Sequence, residues 1–245
     1  MRIHDAPSPN QDDRPPGMPI DTLVLHYTGM QSGAGAIARL RDPVARVSSH
    51  YVVEEDGAVF RLVPESRRAW HAGVSHWRGL SGLNDRSIGI EIVNPGHDWG
   101  YRPFPALQMA AVCDLCLDIL GRHPIAARDV VAHSDIAPDR KQDPGELFDW
   151  EGLAANGVGL WPAACPSAPA GADAPALAPT AAPDSTLANP EAAAWLAAIG
   201  YRGDLPLPVL LTAFQRRWRP GRVDGQADAG TLAALAAVAA LFLAA

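Results

Sequence analysis

Cysteine is scarce in this chain, and long runs of like charge are missing. Three cysteines among 245 residues, an odd number, do not make a disulfide framework. The 20 basic and 27 acidic side chains leave a net charge of −7, and no basic run is longer than a pair. Phosphate backbones are bound by clustered Lys and Arg, so nucleic acid is excluded as the main partner. Residues 1–14 are polar and Pro-bearing and lack the apolar stretch of a secretory signal. That points to a cytoplasmic protein, with the periplasm or cell wall as the alternative. The C-terminal apolar run, Leu232 to Ala245, has 14 residues. A bilayer needs about 20, so the run reads as an Ala-rich packed helix and no membrane span is expected.

With 48% hydrophobic and 19% charged residues, the chain can bury one large core or two small ones. The clearest boundary is compositional. Pro162 to Pro190 holds 7 Pro and 11 Ala in 29 residues and almost nothing large and apolar. Such a stretch cannot bury enough surface to fold, and its prolines keep it extended. The division that follows is a first domain at 1–161, a Pro/Ala-rich linker at 162–186, and a second domain at 187–245.

The first domain alternates strand and helix patterns. Asp21 to Tyr27 is apolar and β-branched, a buried strand, and Ala34 to Arg41 is a short helix stopped before Pro43. His50 to Val63 is two β-rich runs around Asp56-Gly57, a strong hairpin signal. In the strand Ser87 to Val93, a period of two puts Ile88, Ile90 and Ile92 on one face and Gly89, Glu91 and Val93 on the other. Ala106 to Gly121 is a helix with an apolar stripe of Val112, Leu115, Cys116, Ile119 and Leu120. Asp129 to His133 is a last short strand. The fold class is α/β, a mixed central β-sheet flanked by helices, followed by a small C-terminal helical domain.

Glu91 stands out as a carboxylate in a strand of Ile, Val and Gly, where it faces either solvent or a site. His26 and His133 end two other strands, where ligands and metals collect in α/β sheets. After His133 comes a loop with bends set by proline and glycine, and it carries Asp135, Asp139, Lys141 and Asp143. Two imidazoles and one loop carboxylate would suit zinc, with a fourth position left for water. Glu91 would be the general base beside that water and Lys141 a cation aimed at the oxyanion. Spacing alone does not choose among the three aspartates, and no HExxH or paired-cysteine zinc motif is present.

Read together, the blocks LVLHYTGM, SSHYVVEEDG, WHAGVSHWRG, LNDRSIGIEIVNPG and VVAHSDIAPDRKQDPGELFDW resemble the zinc-dependent N-acetylmuramoyl-L-alanine amidases of the AmpD/AmiD type, relatives of the peptidoglycan recognition proteins. The likeness runs from about Ile20 to Trp161. It implies zinc ligands at His26, His133 and Asp143, an active-site glutamate at Glu91 and a catalytic lysine at Lys141. It also implies hydrolysis of the amide between N-acetylmuramic acid, or its anhydro form, and L-alanine. Lipid-anchored members carry a signal and an acceptor cysteine near the N-terminus, and this chain departs from them in both.

Trp70 and His71, with Trp77 and Arg78, suit a groove for sugar or peptide, and His71 can equally be structural. His50 reads as a satisfied core residue, and His4, His76, His97 and His123 as surface positions. Cys113 and Cys116 read as small core residues of a helix, and Cys165 as a free thiol in the linker. In the second domain, the IGY turn, the FQ helix, Asp224-Gly225, Asp228 and the helix from Thr231 are similar to the three-helix peptidoglycan-binding domain of wall hydrolases. Arg216, Arg217, Arg219 and Arg222 there are either a solvated helix end or a contact for an anionic wall polymer. The resulting expectation is a monomeric metallo-amidase tethered to a wall-binding module, with peptidoglycan or anhydro-muropeptide as its partner. The rivals are a non-catalytic recognition protein with the same groove and a zinc hydrolase of some other amide.

Overall fold

The computed structural model describes residues 2–163 and 189–245. The linker, apart from Pro162 and Ala163, and Cys165 lie outside the described residues. In chain order the elements are β1 (Ile3–Asp5), β2 (Gln11–Asp13), β3 (Thr22–Tyr27), α1 (Gly33–Arg41), β4 (Tyr51–Val53), β5 (Val59–Arg61), β6 (Arg67–Ala69), β7 (His76–Trp77) and β8 (Leu80–Ser81). They continue with β9 (Ser87–Ile92), α2 (Ala106–Leu120), β10 (Val130–Ala132), α3 (His133–Ile136), α4 (Trp150–Ala155), α5 (Pro190–Ile199), α6 (Leu207–Trp218) and α7 (Ala229–Ala244).

The central sheet has the order β1-β5-β4-β9-β3-β10, and β4–β5 is its one antiparallel pair. That pair is the expected hairpin. Gly57 turns it at φ +85°, in the left-handed region open to glycine, while the Asp56 carboxylate accepts from the Ala58 amide. β1 carries no signal in the sequence, since three residues are too few to show a period.

One face of the sheet is dry. Leu23, Leu25, Ile88, Ile90 and Ile92 pack against Val112, Leu115, Cys116 and Ile119 of α2, matching the face expected from alternation. Cys116 is fully buried there and Cys113 half-buried, as small helix residues rather than a paired site. The opposite face divides in two. Beneath the ends of β3 and β9 it carries polar side chains; lower down, Val24 and Val131 join a second apolar cluster.

That second cluster includes the C-terminal helices. Trp77, Leu83 and Ile136 of the α/β part pack with Leu196, Ile199, Phe214, Trp218, Val238 and Phe242. Trp77 lies edge-on to Tyr201 and Phe242, with ring centroids 5.4 and 6.2 Å away. The described helices are therefore seated on the α/β part through one shared core. α7 contributes Leu235, Val238, Ala239 and Phe242 to it, so the C-terminal apolar run is a packed helix. No helix among the described residues is long and apolar enough to cross a membrane.

Within the helical part, Gln215 explains the FQ…DG pattern. Its side-chain oxygen accepts from the amides of Asp224 and Gly225, and its nitrogen donates to Asp224, to the Gln226 carbonyl and to Thr231. One buried amide thus ties the turn to the start of α7, where Asp228 caps the helix by accepting from the Thr231 amide. The arginine cluster splits: Arg219 and Arg222 pair with Asp228 and Asp224, whereas Arg217 is buried. His123 is half-buried rather than a plain surface position, because it donates to Glu65 at 2.6 Å.

Glu65 is a joint between the sheet and the end of α2. Burial pushes its carboxyl up, but donors from Arg122, His123 and Tyr51 outweigh this and hold it down at about 2. A carboxylate depressed in the fold contributes stability that is complete above its ordinary pKa near 4.5 and is lost as pH falls towards 2. Glu65→Gln should therefore destabilise the protein at pH 7 and narrow its gap to the wild type by pH 2.5. Urea unfolding at the two pH values checks this; a gap that widens in acid contradicts it.

Candidate metal centre and catalytic cleft

β3 and β9 pair in parallel register, which sets His26 directly opposite Glu91. Both side chains stand on the face turned away from α2, following the period of two. The neighbouring strand β10 ends at Ala132, and His133 begins the one-turn helix α3. Ser134 donates its amide to the Asp143 carbonyl at 3.0 Å, which draws the loop of Asp143 against that turn. Three chain segments thus deliver three side chains to one point.

His26, His133 and Asp143 are all buried and form a group able to hold a metal ion. His26 Nδ1 lies 2.8 Å from His133 Nδ1 and 3.0 Å from Asp143 Oδ2, and His133 Nδ1 lies 2.9 Å from the same oxygen. The surrounding hydrogen bonds assign the protons. Ser87 donates its single hydroxyl proton to the Leu83 carbonyl, so His71 Nε2, 3.1 Å from that hydroxyl, is the donor to it. Burial holds the His71 imidazole well below its ordinary pKa, so the ring is neutral and its Nδ1 is an acceptor. His26 Nε2 then donates to it at 3.0 Å, leaving a lone pair on His26 Nδ1. His133 Nε2 faces the Ala72 carbonyl at 3.2 Å and donates to it, which turns His133 Nδ1 towards His26 and Asp143.

Two Nδ1 atoms and one carboxylate oxygen therefore converge on one point. Burial lowers His26 to about 4, and Asp143, although burial opposes it, is kept well below the carboxylate range, first of all by the charge and hydrogen bond of His133. Two imidazole nitrogens and one carboxylate oxygen are the ligand atoms a divalent cation takes, with N/O sets of this kind typical of zinc. The carbonyl of Ala72 and the ring of His71 are the outer partners that fix such ligands.

A cleft of about 350 Å³ opens over this point, lined among others by Trp70, His71, Glu91, His133, Lys141 and Asp143. Glu91 Oε2 is enclosed and has no hydrogen-bond partner. Burial first, and the Asp143 charge second, raise its carboxyl well above the ordinary value, with Lys141 opposing. A carboxyl so placed can take up a proton and release it.

Residues 16–146 match the family described as N-acetylmuramoyl-L-alanine amidase. The N-acetylmuramoyl-L-alanine amidase AmiD of Escherichia coli is 38% identical over 234 residues, 87% of this chain and 80% of that protein. The chain belongs to the N-acetylmuramoyl-L-alanine amidase family. The solved complex of E. coli AmiD with anhydro-N-acetylmuramic acid-L-Ala-D-gamma-Glu-L-Lys superposes with a TM-score of 0.75 at 36% identity, covering 91% of this chain and 90% of that one. AmpDH3 from Pseudomonas aeruginosa in complex with anhydromuramic pentapeptide gives 0.72 at 31% identity, covering 91% and 93%.

In this amidase-family chain the five residues singled out for chemistry, Glu91, Lys141, His26, His133 and Asp143, share one cleft and its floor. The three loop aspartates part company. Asp143 joins the imidazoles, Asp139 is exposed, and Asp135 turns away to accept from the Ala132 amide. Trp70 lines the cleft and donates its indole N–H to Asp12. His71 lines it too, and its ring is committed to His26 and Ser87. His50 is fully buried and accepts from the Gly89 amide, as a core residue does. His97 is not a free surface residue: it is half-buried, bonded to Tyr27 and Glu146 and stacked on Tyr101. Sequence reasoning missed Ser87 and Gly89. The signal for Gly89 was its place two residues before Glu91 on the same face. It also passed over the fact that Lys141 is the only lysine among 20 basic residues.

A Cβ at Gly89 would lie 2.5 Å from the His71 ring. Gly89→Ala should thus push His71 off His26 and weaken metal binding by about tenfold or more, the usual cost of disturbing an outer partner. Zinc titration against a chromophoric chelator measures this, with circular dichroism to show the fold is kept. Unchanged affinity would remove His71 from the orientation of His26.

Proposed function

We propose that the protein is a zinc-dependent N-acetylmuramoyl-L-alanine amidase, cleaving the amide between N-acetylmuramic acid, or its anhydro form, and L-alanine. The observation that carries this reading is the convergence of His26 Nδ1, His133 Nδ1 and Asp143 Oδ2 beside a Glu91 whose Oε2 is enclosed and has no hydrogen-bond partner. Zinc held there would polarise the amide carbonyl and lower the pKa of water from about 15.7 to about 7.

The remaining work falls to the chain's own side chains. Glu91, opposite His26 on the neighbouring strand, accepts the proton of the attacking water. Its raised pKa suits the second half of the task, handing that proton to the amine of L-alanine as the C–N bond breaks. Lys141 brings a positive charge to the same cleft, where the amide oxygen gains negative charge as the C–O bond forms. Trp70 and His71 form part of the wall against which sugar or peptide lies. On this reading residues 1–161 hold the chemistry, 162–186 join the parts, and 187–245 add contact with the wall polymer.

The catalytic reading is favoured over a recognition protein without activity. A binding groove needs neither a convergent His26, His133 and Asp143 group nor an enclosed carboxylate oxygen at Glu91, so both features support the catalytic reading, and the two related structures above were solved with muropeptide fragments.

Incubation with muropeptides should free L-alanine amino termini, EDTA should stop the release, and added zinc should restore it. Glu91→Gln should bind zinc as the wild type does and lose about two orders of magnitude in turnover, the scale of acid–base catalysis. Wild-type turnover in that variant would remove Glu91 from the reaction. Release that is indifferent to EDTA would sink the zinc reading.

A further inference from the structure

Arg217 lies on α6, in the C-terminal helical part, yet its side chain is only 1% exposed and its partner Asp135 is fully enclosed. Its guanidinium donates to Asp135 Oδ2 at 2.6 Å and to the Val130 carbonyl at 3.1 Å. The rings of Trp150 and Trp218 cover it, with centroids 3.9 and 4.3 Å from the guanidinium carbon. Tyr201, just past α5, donates its hydroxyl to Asp135 Oδ1 at 2.6 Å. The Ala132 amide donates to Oδ2 at 2.9 Å. Both oxygens of Asp135 are thus held by donors from three places, two of them in the C-terminal helical part.

Asp135 is two residues beyond His133 on the single turn of α3. A helix of four residues has almost no stability of its own, since one turn orders several dihedrals for very few hydrogen bonds. What fixes its position must be external. The next residue along from His133 also carries the load of the third ligand, because the Ser134 amide holds the Asp143 carbonyl. Arg216, beside Arg217, reaches Gln142 and Glu146 on that same loop at 3.4 Å each.

We propose that Arg217 and Tyr201 are positioning residues for the metal, acting through Asp135 on the turn that presents His133 and, through Ser134, Asp143. The C-terminal helices then complete the metal site as well as any wall contact they make. This rests on the metal reading above. Charge alone does not explain the arrangement: a buried ion pair is often matched in stability by apolar residues of similar size. A planar fork held between two rings, with a second donor on the other carboxylate oxygen, fixes direction rather than mere attraction.

The test uses the full chain. Zinc affinity is measured against a chromophoric chelator, and the visible spectrum of the cobalt-substituted protein reports ligand geometry. The wild type should bind one zinc per chain; if it binds none, the metal reading fails before the positioning role is reached. Arg217→Met should lose about tenfold or more in zinc affinity and shift the cobalt bands, while Arg217→Lys regains only part. Tyr201→Phe, which removes one hydroxyl, should lose threefold or more and decides alone should Arg217→Met not fold. Leu235→Ala, buried in the same helical core, should lower the melting temperature and leave affinity within threefold of the wild type. Affinities within threefold for both Arg217→Met and Tyr201→Phe overturn the proposal. So does an equal loss in Leu235→Ala, since any loosening of the helices would then suffice.

Discussion

Two imidazole nitrogens and a carboxylate oxygen are held within 3.0 Å of one another in a buried pocket. A divalent cation among them would draw on all three at once. Everything nearby serves to keep them there. The parallel register of β3 and β9 sets His26 and Glu91 side by side, and the carbonyl of Ala72 orients one ring. The line from Leu83 through Ser87 and His71 orients the other. Because such a site exists only in the folded chain, an ion bound there would add its binding energy to the stability of the fold.

Such a site keeps its geometry only if the scaffold does not yield, and the two cores supply the stiffness. α2 closes the dry face of the sheet over Ile88, Ile90 and Ile92, which fixes the strand that carries Glu91. On the other side the helical part joins Val24, Trp77 and Val131 in a shared cluster. Truncating a buried Trp or Phe costs about 3–5 kcal/mol, so residues such as Trp77 and Phe214 bind the two parts of the chain firmly. Fold and site depend on one another: the wall of the cleft is also the roof of a core.

Much of this was legible in the residues, for reasons that can be named. Glu91 declared itself because a period of two leaves no apolar role for a carboxylate between two isoleucines. His26 and His133 declared themselves as polar ends to apolar strands. The loop aspartates did not, because an irregular segment has no period. Resemblance pointed to Asp143, and what separates it physically from Asp135 is the set of donors each meets in space. Arg217 was hidden in a run that resembles a solvated helix end. A trace of it was present: counting from Leu210, the fourth and seventh residues along are Phe214 and Arg217, so the arginine sits on the apolar stripe. β1 left no trace at all, being made of three residues whose pairing depends on β5.

The tie between Asp135 and Arg217 bears on how such chains can be recombined. The proline- and alanine-rich stretch looks like a natural seam at which to graft the helices of one homologue onto the catalytic half of another. A hybrid cut there would bring an arginine from one parent to meet whatever residue the other parent offers beside the second histidine. Compatible pairs would have to travel together, so the unit of exchange is set by a buried contact and not by the composition of the stretch between the parts.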